Sequence, residues 1–124
     1  MSQILGLGGI FIRCKDVDRY RAWWSDHMGV ALTDWGTLEW EHSARAYPSR
    51  SMLSPFAANT PYFDPSTQSV MINLRTDDVR GMIEKARKGG AQIVGEIDDT
   101  EYGMFGWFID PEGYKIELWQ EPSG

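Results

Sequence analysis

Residues 10–17 (IFIRCKDV) and residues 72–79 (INLRTDDV) are two versions of one segment, 62 positions apart. In each, apolar residues recur at every second position, an Asp follows, and a Val begins a stretch with apolar residues three and four apart. The first spacing is typical of a half-buried strand, Asp is a common helix N-cap, and the second spacing is that of an amphipathic helix. The chain is therefore predicted to contain a strand and a capped helix twice, as an internal repeat.

Short strand-like runs follow each predicted helix. In the second half they span residues 92–97, 104–109 and 114–120, with a tight turn predicted at residues 110–113 (DPEG). The first-half counterparts span residues 30–35, 37–42 and 51–56. Each half is thus predicted as a βαβββ module within a single domain, residues 1–124. Module one covers about 4–58, a linker rich in Pro, Ser, Thr and Asn covers 59–69, and module two covers about 70–121.

The charge, the apolar runs and the cysteine content of the chain indicate which kinds of binding partner are expected. The 124 residues carry 18 Asp and Glu against 12 Lys and Arg, a net charge of −6, so a nucleic-acid surface is not expected. Residues 1–14 lack the features of a secretory signal, and no apolar run is long enough to span a membrane. Cys14 is the one cysteine, which excludes a disulfide within the chain. These features favour a cytoplasmic protein that binds neither nucleic acid nor membrane.

The repeat, together with residues 15–30 (KDVDRYRAWWSDHMGV) and 106–120 (GWFIDPEGYKIELWQ), resembles the vicinal oxygen chelate superfamily. This superfamily includes glyoxalase I, extradiol dioxygenases and bleomycin- and fosfomycin-resistance proteins. The resemblance implies an α+β fold in which two tandem βαβββ modules form an eight-stranded cup with helices on its convex side. It also implies a small-molecule ligand in the cup, often with a divalent metal, and we expect a homodimer.

The resemblance places the family's metal ligands on the first and last strand of each module. The matching positions hold Gly9, Ser54, Met71 and Glu117, and of these only Glu117 has a suitable donor. No metal ligand is therefore predicted. A divalent metal held by a rearranged set, such as His42 with Glu117, stays as an alternative.

Two residues are candidates for catalysis. Alternation places Glu117 on the strand face opposite Ile116 and Leu118, so it faces the cup, where loss of water would raise its pKa toward use as a base. A purely architectural carboxylate paired with an Arg is an equal alternative. His42 shares a predicted strand face with Trp40 and is a candidate acid or base, against a surface or interface histidine.

The ligand-binding candidates are arginines and residues on the same predicted strand faces. Arg13 and Arg75 are related by the repeat and are candidates to hold a carboxylate or phosphate, against strand-end arginines in solvent or in ion pairs. Tyr102 and Phe105 are further aromatic candidates. The other ligand-binding candidates are Phe11, Trp35, Trp40, Ser54, Phe56, Met71, Asn73, Trp107 and Trp119.

The leading hypothesis is a protein that binds a small, partly aromatic organic molecule in an aromatic-lined cup. Metal-independent proton transfer by Glu117 at a carbonyl-bearing substrate is its enzymatic version. One alternative is a non-catalytic, ligand-sequestering protein. The other is a metal-dependent lyase, isomerase or dioxygenase with a rearranged ligand set.

Overall fold

The computed structural model describes residues 2–42 and 49–122. Within them the chain forms seven strands, two α-helices and one short 3₁₀ helix. In chain order these are β1 (Ile4–Cys14), α1 (Val17–Met28), β2 (Leu38–His42), β3 (Ser49–Ala57), the 3₁₀ helix (Pro61–Phe63), β4 (Val70–Thr76), α2 (Val79–Lys88), β5 (Gln92–Thr100), β6 (Gly103–Ile109) and β7 (Lys115–Gln120). None of the helices described is long and apolar enough to cross a membrane.

The strands form one mixed sheet in the order β2-β3-β1-β4-β7-β6-β5. The first strands of the two halves, β1 and β4, pair antiparallel at its centre, and each pairs in parallel with the last strand of its own half, β3 or β7. The two halves thus join within one chain. The α+β class is confirmed, and the sheet is open.

The sheet has seven strands rather than the eight expected, counted over the described residues. Residues 30–35 contribute a single bridge, between Leu32 and Leu38. Thr33 explains this, because its backbone N–H donates to the Thr37 carbonyl at 2.9 Å and its hydroxyl accepts from the Thr37 N–H at 3.1 Å. Local bonds from a Thr side chain compete with a strand ladder, and here they close a tight turn instead.

Both helices begin and end where the sequence indicates. Asp16 and Asp78 accept hydrogen bonds from backbone N–H groups at the start of α1 and α2, and the helices end at Gly29 and Gly89. Packing differs between the two. Helix α2 buries Val79 and Ile83, whereas no residue of α1 is buried.

The two faces of the sheet are distinct. On the helix face, α2 packs Val79 and Ile83 against Leu118. Strand register places a different set on the other face, named here the site face: Phe11, Met71, Asn73, Glu117 and Trp107. Phe63 packs with Phe11 and Met71 there, so the segment predicted as a linker supplies a core residue.

Candidate functional site

Glu117 lies at the centre of the site face and is only 2% exposed. Its carboxylate accepts three hydrogen bonds. Asn73 Nδ2 donates to Oε1 at 2.7 Å, Trp107 Nε1 donates to Oε2 at 2.9 Å, and the Tyr62 hydroxyl also donates to Oε2. A buried carboxylate with three donors is held in one orientation.

Strand pairing accounts for two of the three donors. Strand β7 lies between β4 and β6, and the register places Asn73 on one side of Glu117 and Trp107 on the other. Paired residues project from the same face of a sheet, so both side chains lie beside the carboxylate.

Tyr62 reaches the site from the 3₁₀ helix. Thr60 caps this helix, and Pro61 occupies its first turn. The Tyr62 ring stacks on Phe56 at 5.5 Å between centroids, and Lys115 Nζ donates to the Tyr62 carbonyl at 2.6 Å. Tyr62 therefore covers Glu117 and is fixed from both modules.

Tyr62 is absent from the residues predicted to form the site, because residues 59–69 read as a connection. A signal was present, since a capping Thr60 and Pro61 directly precede two aromatic residues. Two consecutive aromatic residues after a cap and a Pro indicate a short helical turn with a buried face.

Burial controls the electrostatics of the site. It raises the pKa of Glu117, while the donors Tyr62, Trp107 and Asn73 and the charge of Lys115 act in the opposite direction. The pKa of Tyr62 is raised by burial and by the adjacent Glu117. Burial lowers the pKa of Lys115. Glu117 thus holds a proton more readily than an ordinary carboxyl group, which suits a group that accepts and returns one.

An aromatic row runs beside Glu117. The rings of Phe105 and Trp107 are nearly parallel at 6.3 Å between centroids, and those of Phe105 and Trp119 at 6.4 Å. Trp119 Nε1 donates to the Tyr102 carbonyl at 3.2 Å, so this indole is held by its polar end. The row gives the site face an apolar wall.

Several predicted ligand-binding residues lie together on this face. Phe11 and Phe56 are in ring contact at 5.3 Å, and Ser54 pairs with Phe11 in the sheet. Ser54 and Met71 are both buried. The structure thus gathers Phe11, Ser54, Phe56, Met71, Asn73, Trp107, Glu117 and Trp119 on the site face.

Two other predicted residues, Trp35 and Trp40, do not join them. Trp35 lies in the Thr33–Thr37 turn and is 63% exposed. Trp40 pairs with Ser51, in step with the Leu38–Leu53 pair, which places it on the helix face. His42 ends β2, and its side chain lies outside the described residues.

The two arginines of the repeat have different surroundings. Arg13 donates to the carbonyls of Ala58, Thr60 and Gln68 and lies over the Phe63 ring, so it fastens the segment after β3. Arg75 is 9% exposed, and its Nε has no hydrogen-bond partner among the described residues. Of the two, Arg75 is the one that retains a free donor.

The residues present do not fit a divalent metal. Of the four positions that match the family's ligands, only Glu117 offers a carboxylate, and N–H or O–H donors occupy both of its oxygens. Within residues 2–42 and 49–122, no three His, Cys, Asp or Glu lie close enough together to hold an ion. A hard or borderline cation requires several such donors.

A separate cavity of about 330 Å³ lies beside α2. It is lined by Ile83 of α2, by Ile93 and Ile97 of β5 and by Gly106 and Trp107 of β6. Glu117 does not line it, although Trp107, which donates to Glu117, does.

Comparisons with known proteins agree with this fold. Residues 9–119 match the model of the family described as Glyoxalase-like domain. Methylmalonyl-CoA epimerase from Mycobacterium tuberculosis superposes with a TM-score of 0.62 at 19% identity, covering 97% of this chain and 90% of that chain. Streptomyces coelicolor methylmalonyl-CoA epimerase, in complex with 2-nitronate-propionyl-CoA, gives 0.71 at 14% identity, covering 98% of this chain and 100% of that chain.

A glyoxalase/bleomycin resistance protein/dioxygenase superfamily member from Vibrio splendidus 12B01 is also similar. It gives a TM-score of 0.59 at 11% identity, covering 98% of this chain and 100% of that chain. No curated protein matches the chain significantly. The structural neighbours establish the fold, and the family model covers most of the sequence. The chain therefore belongs to the glyoxalase-like domain family.

Proposed function

We propose that the protein binds a small, partly aromatic organic molecule on the site face and that Glu117 exchanges a proton with it without a metal. One observation carries this proposal. A carboxylate that is 2% exposed, with a raised pKa, lies beside an aromatic row and is held in place from three separate elements. Groups with strongly perturbed pKa values in such surroundings are frequent at functional sites.

The proposed step is removal of a proton from a carbon next to a carbonyl group. The C–H bond breaks, the proton passes to a Glu117 oxygen, and the electron pair moves onto the carbonyl oxygen. Lys115 places a positive charge on the same face, which favours the negative charge formed on the substrate. Tyr62 must leave Oε2 for the substrate to approach, and the residue is 36% exposed, at the edge of the site.

Proton exchange with solvent tests this step with generic carbonyl probes in place of the natural substrate. Phenylpyruvate and 4-phenylbutan-2-one are incubated with the protein in D₂O, and loss of the ¹H NMR signal next to the carbonyl is followed. We expect the protein to accelerate exchange of at least one probe and Glu117→Gln to abolish the acceleration. Glu84→Gln, on the exposed surface of α2, is the matched control. Equal rates in the unaltered protein and Glu117→Gln would refute the proposal.

A second candidate is a protein that sequesters its ligand without changing it. The Tyr62 hydroxyl favours this candidate, because it occupies Glu117 Oε2 and covers the carboxylate. In this case an aromatic probe quenches tryptophan fluorescence saturably and is recovered chemically unchanged and without deuterium. Glu117→Gln then alters binding and no reaction rate.

We also propose a homodimer that acts in the cytoplasm. Helix α1 supports the dimer, since it buries none of its residues and leaves Trp23 and Met28 47% and 55% exposed. Large exposed apolar side chains on one element are typical of an interface. The single, buried Cys14 supports the location, because the fold has no disulfide to maintain.

A further inference from the structure

Arg75 is a buried cation without a counter-ion in the described part of the chain. The residue is 9% exposed, and its Nε is fully buried and has no hydrogen-bond partner. Among the described residues no carboxylate lies at ion-pair distance from it. Because removal of a charge from water is unfavourable unless a partner replaces the water, such an arginine requires an anion from elsewhere.

Several carboxylates of the described residues are engaged elsewhere. Arg50 takes Glu39 at 3.1 Å, Glu41 at 3.9 Å and Glu121 at 3.5 Å. Glu117 is occupied by its three donors. The described residues thus leave Arg75 unpaired in a chain whose net charge is −6.

Its counterpart in the repeat shows what a structural arginine does at this position. Arg13 directs its donors to three backbone carbonyls and its flat face to Phe63. Arg75 makes no comparable contact with the residues that the structure describes. No hydrogen bond or ion pair within the described residues therefore accounts for the burial of the Arg75 guanidinium group.

Two glycines of β1 make room for the Arg75 side chain. Its Cγ lies 3.3 Å from the point where a Cβ on Gly8 would stand, and one terminal nitrogen lies 3.2 Å from that point on Gly6. The terminal nitrogens are not among the fully buried atoms without a partner. The Arg75 side chain therefore lies over β1, with its Nε fully buried.

Arg75 lies at one end of the row of site residues. It pairs with Trp119 in the sheet and is two residues beyond Asn73, which contacts Glu117. We propose that Arg75 binds the carboxylate of the ligand, so that the ligand is a small aromatic or apolar carboxylic acid. A carboxylate is favoured over a phosphate because one guanidinium group balances one negative charge. This inference depends on the proposed function for the ligand's position on the site face.

Binding of phenylacetate tests the assignment, with phenylacetamide as the probe of nearly the same shape and no charge. Both are titrated by tryptophan fluorescence against the unaltered protein, Arg75→Met, Arg75→Lys and the control Arg80→Met, which removes an exposed arginine of α2. We expect Arg75→Met to weaken phenylacetate by about tenfold or more and to leave phenylacetamide unchanged. Arg75→Lys keeps the charge and loses the forked donors. Its affinity for phenylacetate should lie between those of the unaltered protein and Arg75→Met.

The midpoint of urea unfolding without ligand is a second measurement, and a ligand-binding role and a structural role of Arg75 predict opposite changes in it. Loss of an unpaired buried charge is expected to leave the midpoint of Arg75→Met unchanged or higher, whereas loss of a structural arginine lowers it. A lower midpoint overturns the inference. So does phenylacetate binding that Arg75→Met leaves intact, or that is no tighter than binding of phenylacetamide to the unaltered protein.

The two proposals fail separately. Arg75-dependent binding of phenylacetate without deuterium exchange of the carbonyl probes supports the anion site and refutes proton transfer by Glu117. If deuterium exchange requires Glu117 and Arg75→Met leaves phenylacetate binding intact, proton transfer by Glu117 is supported and the anion site at Arg75 is refuted.

Discussion

At the scale of single residues, two of the three hydrogen-bond donors to Glu117 lie on strands and the third lies on a 3₁₀ helix. Asn73 and Trp107 follow from strand pairing, so alternation and a correct order of strands are sufficient to place them. Tyr62 donates across 55 positions of sequence from a single helical turn, where no periodic pattern exists to predict it. The arginines illustrate the same limit, since Arg13 and Arg75 are equivalent in sequence and differ in surroundings.

Glu117 is expected to make the protein less stable as the pH rises. Its pKa in the folded chain is raised above the ordinary value of 4.5, so the folded state holds the proton longer than the unfolded state. The stabilisation is complete below about pH 4.5 and is lost as the pH rises through the folded pKa. A tenfold difference in proton affinity between the two states corresponds to about 1.4 kcal/mol.

Urea unfolding of the unaltered protein and Glu117→Gln between pH 4 and pH 8 measures this contribution. The unaltered protein should lose stability relative to Glu117→Gln as the pH rises across that window, and Glu84→Gln should follow the unaltered protein. Parallel curves for all three proteins would mean that Glu117 titrates alike in both states.

Tyr62→Phe removes one donor from Glu117 and leaves the ring stacked on Phe56. The free energy of unfolding should fall by about 1.5–3 kcal/mol at pH 8, where more of the carboxylate is charged than at lower pH, because a hydrogen bond to a charged group is lost. The decrease should be smaller at pH 5, since the pKa of Glu117 rises further without this donor. Tyr102→Phe, at a residue 70% exposed, is the control and should change neither value. Equal losses at both pH values would contradict the role given to the hydroxyl.

At the scale of elements, the repeated strand and helix were predictable and the connections were not. Asp16 and Asp78 cap their helices because a short acidic side chain at that position accepts from the first N–H groups. The predicted strand at residues 30–35 was wrong because hydrogen bonds between Thr33 and Thr37 closed a turn. Gly6 and Gly8 of β1 leave room for the side chains of Asn73 and Arg75 on β4, which the sequence of β1 alone does not indicate.

Gly8→Ala is expected to disturb β1 and the site together. A Cβ there would stand 1.9 Å from Asn73 Oδ1, so either the amide or the strand must move. Such crowding usually lowers the free energy of unfolding by about 1–3 kcal/mol. Gly89→Ala is the matched control, because its Cβ would meet its nearest atom at 3.4 Å and its φ of −76° suits any residue.

Urea unfolding gives the stability of both variants, and the midpoint of Gly89→Ala should match or exceed that of the unaltered protein. In Gly8→Ala, displacement of Asn73 should also raise the pKa of Glu117. The loss of stability that accompanies ionisation of Glu117 should therefore occur at a higher pH than in the unaltered protein. Gly8→Ala as stable as the unaltered protein would show that β1 adapts without cost.

At the scale of the whole molecule, β1 and β3 of the first half are arranged like β4 and β7 of the second, while the first half contributes three strands to the sheet and the second half four. Helix α2 packs on the sheet through the buried residues Val79 and Ile83, whereas no residue of α1 is fully buried. The sequence predicted two equivalent helices because both have the same spacing of apolar residues. The spacing of apolar residues in a helix does not indicate how much apolar surface of the sheet is available to pack against it.

Trp23→Glu is therefore expected to convert the proposed dimer to a monomer. A charge on a helix face that a second copy covers should weaken association by about 30-fold or more, the effect of losing a central aromatic contact. Sedimentation velocity measures the oligomer, and far-ultraviolet circular dichroism checks that the fold is intact. Tyr102→Glu, on the β5–β6 hairpin, is the control and should remain dimeric. A monomeric unaltered protein would refute the dimer directly.

The pairing of β1 with β4 places the corresponding strands of the two halves side by side, and the two halves differ in charge. Where one half has Glu117 and an Arg75 with a free donor, the other has Ser54 and an Arg13 already committed to the backbone. The two halves share a strand and helix pattern and differ in chemistry. A ligand that fits such a surface in two orientations is charge-matched in only one, so a substrate with two mirror-related hydrogens would present only one of them to Glu117. Stereochemical selectivity would then arise from the unequal chemistry of the two halves.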